Sequence, residues 1–173
     1  MTSLEAVKAA GVLLLAGIIQ VSIVTPLEVA SGHPDLILVL VVSIALLRGP
    51  LFGSVTGFWA GLALDVAALG TLGLSSLLLT LAGYWAGRFG EATTRSSPYP
   101  PLLAVAVGTA WMVLGSGLLH FMLGEGADAT QLLGPVFVPT LALNLLLALP
   151  VYRLARRLFP VAARERREAL AVV

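Results

Sequence analysis

The chain contains no cysteine, which excludes disulfide frameworks, thiolate metal sites and cysteine nucleophiles. Histidine is nearly as scarce, with only His33 and His120. There is no H-E-x-x-H pair, no G-x-S-x-G nucleophile elbow and no P-loop, so the sequence predicts no catalytic residue, no metal site and no cofactor site. Charge is sparse as well: 11% of the 173 residues, with a net charge of +1, provide no basic surface for nucleic acid. Nor is there a ring of charge or a filter-like run of the kind that lines an ion channel. Long polar loops are missing, and the longest connection, about 89–99, leaves no room for a soluble domain. What remains is hydrocarbon. Hydrophobic residues make up 58% of the chain and mean hydropathy is +1.00, more apolar surface than a soluble domain of this size could bury. The expected fold class is an all-α membrane protein.

The charged residues divide the chain into six apolar spans, at about 6–25, 34–48, 50–68, 71–88, 100–123 and 131–152, against the roughly 20 residues that cross a bilayer core. Lys8 lies near the start of the first span and Arg48 ends the second; Arg88 and Arg95 flank the loop after the fourth; Arg153, Arg156 and Arg157 follow the sixth. With the N-terminus inside, every lysine and arginine falls on the cytoplasmic side. Glu28, His33, Asp35, Glu125 and Asp128 fall on the other. The positive-inside rule therefore predicts six transmembrane helices with both termini cytoplasmic, joined by short loops. Glu5 weakens the basic region that a signal peptide needs and no small-x-small cleavage site follows, so the first span is expected to be retained. The domain reading is a six-helix transmembrane domain over 1–153 and a basic tail over 154–173. The tail's arginines would fix topology and hold anionic lipids, at about 1 kcal/mol per basic residue near the surface.

The second span is too short. From Leu36 to Leu47 the continuous apolar run covers only about 18 Å of helix at 1.5 Å per residue, less than the bilayer core. Its helix must begin within or near the membrane at Gly32-His33-Pro34-Asp35, where proline suits the first position and aspartate faces the positive end of the helix dipole.

Between Gly49 and Asp65, along the third span, a residue of special type stands at every fourth position: Gly49, Gly53, Gly57, Gly61 and then Asp65. Helices in lipid associate through close backbone approach across small residues. The ridge is thus either an internal packing face or a partner interface. Gly83 and Gly87 form a second small-xxx-small pair in the fourth span, with the same two readings. Counting from Arg48 along antiparallel helices places Asp35 and Asp65 about 20 and 25 Å above it, in the outer third, with His120 near the same boundary. Neighbouring acids there would suit a proton-linked or cation-binding role; alternatively, each accepts hydrogen bonds from backbone N–H groups at a broken helix or loop. Gln20 and Asn144, inside the first and sixth spans, are expected to hydrogen-bond between helices. Trp85 fits an interfacial anchor, and Trp59 and Trp111 fall mid-span.

Four of these elements together resemble a known family. Gly32-His33-Pro34-Asp35-Leu36-Ile37-Leu38, Leu47-Arg48-Gly49-Pro50, Gly53-x-x-x-Gly57-Phe58-x-x-Gly61-Leu62-x-x-Asp65 and Leu69-Gly70-x-x-Gly73 look like the rod shape-determining membrane protein family MreD. The motifs are concentrated in about 25–90; the later half matches in hydropathy and in its basic end. The resemblance implies a non-enzymatic scaffold of the bacterial elongation machinery that binds the bitopic protein MreC in the plasma membrane. Through MreC it would connect indirectly to MreB filaments, to the glycan polymerase RodA and to a class B penicillin-binding protein, with lateral peptidoglycan synthesis maintaining a rod. It leaves room for a homodimer within the MreC complex. The MreD fold is also similar to the substrate-binding subunits of energy-coupling-factor transporters, so the alternative implied is a vitamin- or metal-binding transporter subunit with an outward cleft as its pocket. Short outer loops, poor in hydrogen-bonding residues, argue against that alternative.

Overall fold

The computed structural model describes residues 3–20, 22, 32–69, 71–93, 99–124 and 136–159, with side chains from Val7 onward. Among these residues there are six helices and no β-strand: α1 (Ser3–Ile19), α2 (Leu36–Arg48), α3 (Pro50–Ala67), α4 (Leu74–Ala92), α5 (Tyr99–Met122) and α6 (Phe137–Leu158). Three of them, α3, α5 and α6, are long and apolar enough to cross a membrane, while α1 and α2 carry shorter apolar runs.

The short helix α2 is the centre of the bundle. Every side chain from Ile37 to Leu47 is buried. A helix apolar on all faces needs neighbours on all faces, and α1, α3, α4, α5 and α6 all pack against it. Enclosure explains how 13 residues suffice: protein groups pair with its start, so that end need not reach the bilayer surface.

Leu47-Arg48-Gly49-Pro50 makes a tight turn. Only Gly49 separates α2 from α3, at φ 90° and ψ 177°, a region essentially restricted to glycine. Pro50 then starts α3, where its missing N–H leaves no unpaired donor. The two helices fold back as neighbours, and α3 packs along its length on α4.

Large apolar side chains face outward on the peripheral helices, among them Leu14 and Ile18 of α1, Trp59 of α3, and Leu103, Val107 and Leu118 of α5. That distribution suits a lipid solvent. The peripheral helix α5 buries mainly its small residues, Ala104, Gly108 and Thr109 among them.

Two helix ends lie farther along than hydropathy predicts. The fourth helix continues past Arg88 to Ala92, and the sixth continues past Arg153 to Leu158. In both, one face stays in the bundle while the arginines point out: Gly90 rests on Leu46, and Ala155 and Phe159 are buried. Arginines in a last turn also interact favourably with the negative end of the helix dipole. The division at 153/154 therefore falls within α6. Glu28, Arg95, Glu125, Asp128, the expected start of the sixth span at 131 and the tail from 160 onward lie outside the described residues.

Candidate functional site

Two polar nodes form at helix starts. At the first, the chain entering α2 is gripped by Gln20 and by α6, with α5 bonded behind α6. Gln20, just past α1, donates from Nε2 to the Pro34 carbonyl (3.0 Å) and accepts from the Leu36 N–H at Oε1 (2.8 Å). Asn144 of α6 accepts the Asp35 N–H at Oδ1 (2.7 Å) and donates from Nδ2 to Thr109 Oγ1 of α5 (3.0 Å). Thr140 of α6 accepts the His33 N–H (3.2 Å). The Asp35 side chain caps its own helix, accepting the Leu38 N–H at 2.9 Å. Gly32 lies so close to α6 that a Cβ there would sit 2.6 Å from the Pro139 Cβ and 2.7 Å from the Thr140 nitrogen. Each residue of Gly-His-Pro-Asp thus has a structural task. With Gln20 they pair the N–H groups of Leu36, Leu38 and Val39 where the helix starts in an apolar setting.

The second node belongs to Asp65. From the last turn of α3 its carboxylate reaches the start of α4 and accepts the N–H groups of Gly73 (2.8 Å), Ser75 (3.2 Å) and Ser76 (3.5 Å). Asp65 is therefore a tertiary N-cap, supplied by one helix to the next across a turn that includes Leu69 at φ 52° and Gly73 at φ 96°. Ser76 adds a bond from its hydroxyl to the Phe58 carbonyl (3.0 Å).

The two acids serve different helices. Among the described residues no hydrogen bond joins Asp35 to Asp65, and every bond described to their side chains comes from a backbone N–H. His120 sits part-exposed in the last turn of α5.

The glycine ridge faces inward. A methyl group at Gly53 would lie 2.5 Å from both the Ala45 Cβ and the Gly83 carbonyl oxygen; at Gly57 it would strike the backbone of Leu79, and at Gly61 the backbone of Ser76. From the other side, Gly83 abuts Gly53 and Gly87 abuts Pro50. The two small-residue rows are thus one interdigitated contact between α3 and α4. This face is occupied within the chain, so it is not open to a partner helix.

The described basic residues gather at the opposite end from the two nodes. The Arg48 guanidinium lies between two rings, 5.9 Å from the Phe52 centroid and 6.0 Å from that of Phe159, in cation–π contact with both. Arg88 pairs with Glu91 at 3.3 Å, with both side chains about half exposed or more. Arg153, Arg156 and Arg157 project from the end of α6, and Lys8 reaches the same end from α1, where it shares a cavity with Arg157.

Two of the described cavities lie between neighbouring helices. One, of about 500 Å³, lies between α1 and α3 and includes Gly17, Trp59 and Ala63; another, of about 340 Å³, lies between α4 and α5 with Trp85 and Trp111 at its walls. Neither carboxylate lines them. Among the described residues no cluster of three or more potential metal ligands occurs.

A family profile described as rod shape-determining protein MreD matches residues 4–160. The chain belongs to the MreD family. It is a rod shape-determining membrane protein, and the MreD family is a shape-determining structural one. No curated protein and no solved structure shows significant similarity to it. The MreD-like motifs quoted from the sequence are the segments that build the two nodes, the Gly49 turn and the α3–α4 contact.

Several participants carry no readable signal in one sequence. Thr109, Thr140 and Ser76 are common residue types whose roles depend on distant neighbours. Trp111, expected mid-span, donates from Nε1 to the Leu78 carbonyl (3.1 Å) and so pins α5 to α4. Only its spacing from α4 in the fold, not in the sequence, reveals that.

Proposed function

We propose that the chain is a six-span, N-in/C-in scaffold of the bacterial plasma membrane that binds MreC and through it helps regulate lateral peptidoglycan synthesis. Membership of the MreD family over residues 4–160 carries this reading. The collection of Lys8, Arg48, Arg88 and the α6 arginines at one end of the bundle supports the orientation, because basic residues favour the cytoplasmic side. The interior supports a scaffold rather than a carrier: its buried polar groups bind helix starts, and its glycine rows bind each other. A partner helix would then meet the outward faces of the peripheral helices, where small-residue packing and van der Waals contact decide association in lipid.

The direct test is depletion of the protein in its native rod-shaped host. Rounding of the cells, with loss of labelled cell-wall precursor along the side wall, is the expected outcome. Normal rods with a nutritional requirement for a vitamin or metal would refute the reading and favour a transporter subunit.

A further inference from the structure

A cavity of about 490 Å³ separates α1 from α6 at the basic end of the bundle, lined by Lys8, Gly11, Val12, Leu15, Arg157 and Leu158. Its volume falls within the roughly 300–1,000 Å³ of small-molecule sites. The gap exists because α1 packs chiefly on α2 and α3, leaving its flank toward α6 open. Two cations from opposite ends of the chain stand at its head, and its walls are apolar. Among the described residues neither cation has a carboxylate within ion-pair distance. Gly11 keeps the floor open: a Cβ there would meet no atom within 4 Å.

Paired positive charge above a hydrocarbon-lined wedge is complementary to one chemistry, a phosphate ester with acyl chains attached. We propose that this wedge binds a single anionic phospholipid, with Lys8 and Arg157 on the phosphate and the acyl chains along Gly11, Val12 and Leu15. Arginine's fork pairs with two phosphate oxygens, and lysine adds a point charge. Basic pockets between transmembrane helices take anionic headgroups in this way. The leaflet follows from the N-in/C-in orientation proposed above; the site does not depend on MreC binding.

The test is native mass spectrometry of the full chain purified in mild detergent and supplied with phosphatidylglycerol or phosphatidylethanolamine of identical acyl chains. The wild type should retain phosphatidylglycerol about 30-fold better, and Lys8→Gln/Arg157→Gln should lose that preference, as expected for removal of two near-surface cations. Arg153→Gln/Arg156→Gln removes the same charge at the same end outside the cavity and should keep it. Gly11→Leu retains both cations but fills the wedge, and should expel the lipid without lowering the melting temperature. If the first double variant does not fold, Gly11→Leu decides. Equal loss in the two double variants, unchanged retention in Gly11→Leu, or no preference in the wild type would overturn the proposal. So would displacement of the lipid by soluble glycerol phosphate at comparable concentration, which would mark an ordinary anion site.

Discussion

Replacing Gly53 with alanine should destabilise the bundle, although alanine is the better helix former. The added methyl would lie 2.5 Å from the Ala45 Cβ and from the Gly83 carbonyl oxygen. Carbon–carbon contacts are optimal near 3.5–4.0 Å, so α2 and α4 must each retreat by about 1 Å. Overpacking of this kind costs about 1–3 kcal/mol. The helix preference of alanine over glycine returns up to about 1 kcal/mol. The net loss reaches about 2 kcal/mol, a ratio of folded to unfolded protein lower by up to roughly 30-fold. Gly11→Ala is the matched control, because nothing stands within 4 Å of its Cβ position; it should be neutral or stabilising by up to about 1 kcal/mol. Unfolding in mixed micelles, driven by rising fractions of a denaturing detergent and followed by circular dichroism, measures both. Equal stability of the two variants would refute the inward-facing ridge.

Other perturbations follow from the nodes and the basic end. Gly57→Leu should abolish the folded protein itself, read as loss of a monodisperse chromatographic peak, rather than selectively losing a partner. Asn144→Ala removes the acceptor for the Asp35 N–H and the donor to Thr109; leaving buried groups unpaired should cost about 1–3 kcal/mol in the same unfolding assay. Asp65→Leu should free the start of α4, raising amide hydrogen exchange at Gly73, Ser75 and Ser76 while leaving the start of α2 protected. Arg88→Ala should change stability by less than about 0.5 kcal/mol, since its ion pair with Glu91 is largely exposed to solvent.

Much of the architecture is legible in the sequence because membrane helices announce themselves by hydropathy. The short second helix could be read from the 12-residue run between Asp35 and Arg48, apolar except for Ser43. Its central position was not legible: an apolar run looks the same whether it faces lipid or protein, and only the neighbours on every side of Ile37–Leu47 distinguish the two. The glycine ridge showed that a close contact exists but not whose. That information lies in Leu79, Gly83 and Gly87, whose register against α3 is a property of the fold. Asp35 and Asp65 were both marked as costly carboxylates, yet a sequence cannot show that one caps its own helix and the other the next. Hydropathy also ended α4 and α6 at their first arginine, whereas a helix continues wherever one face still has a place to pack.

Affinity purification from native membranes in mild detergent, with quantitative mass spectrometry of what accompanies the protein, tests the scaffold reading most directly. Recovery of MreC in near-equal amount is the predicted result. Recovery of an ATPase and its transmembrane coupling subunit in place of MreC would contradict it.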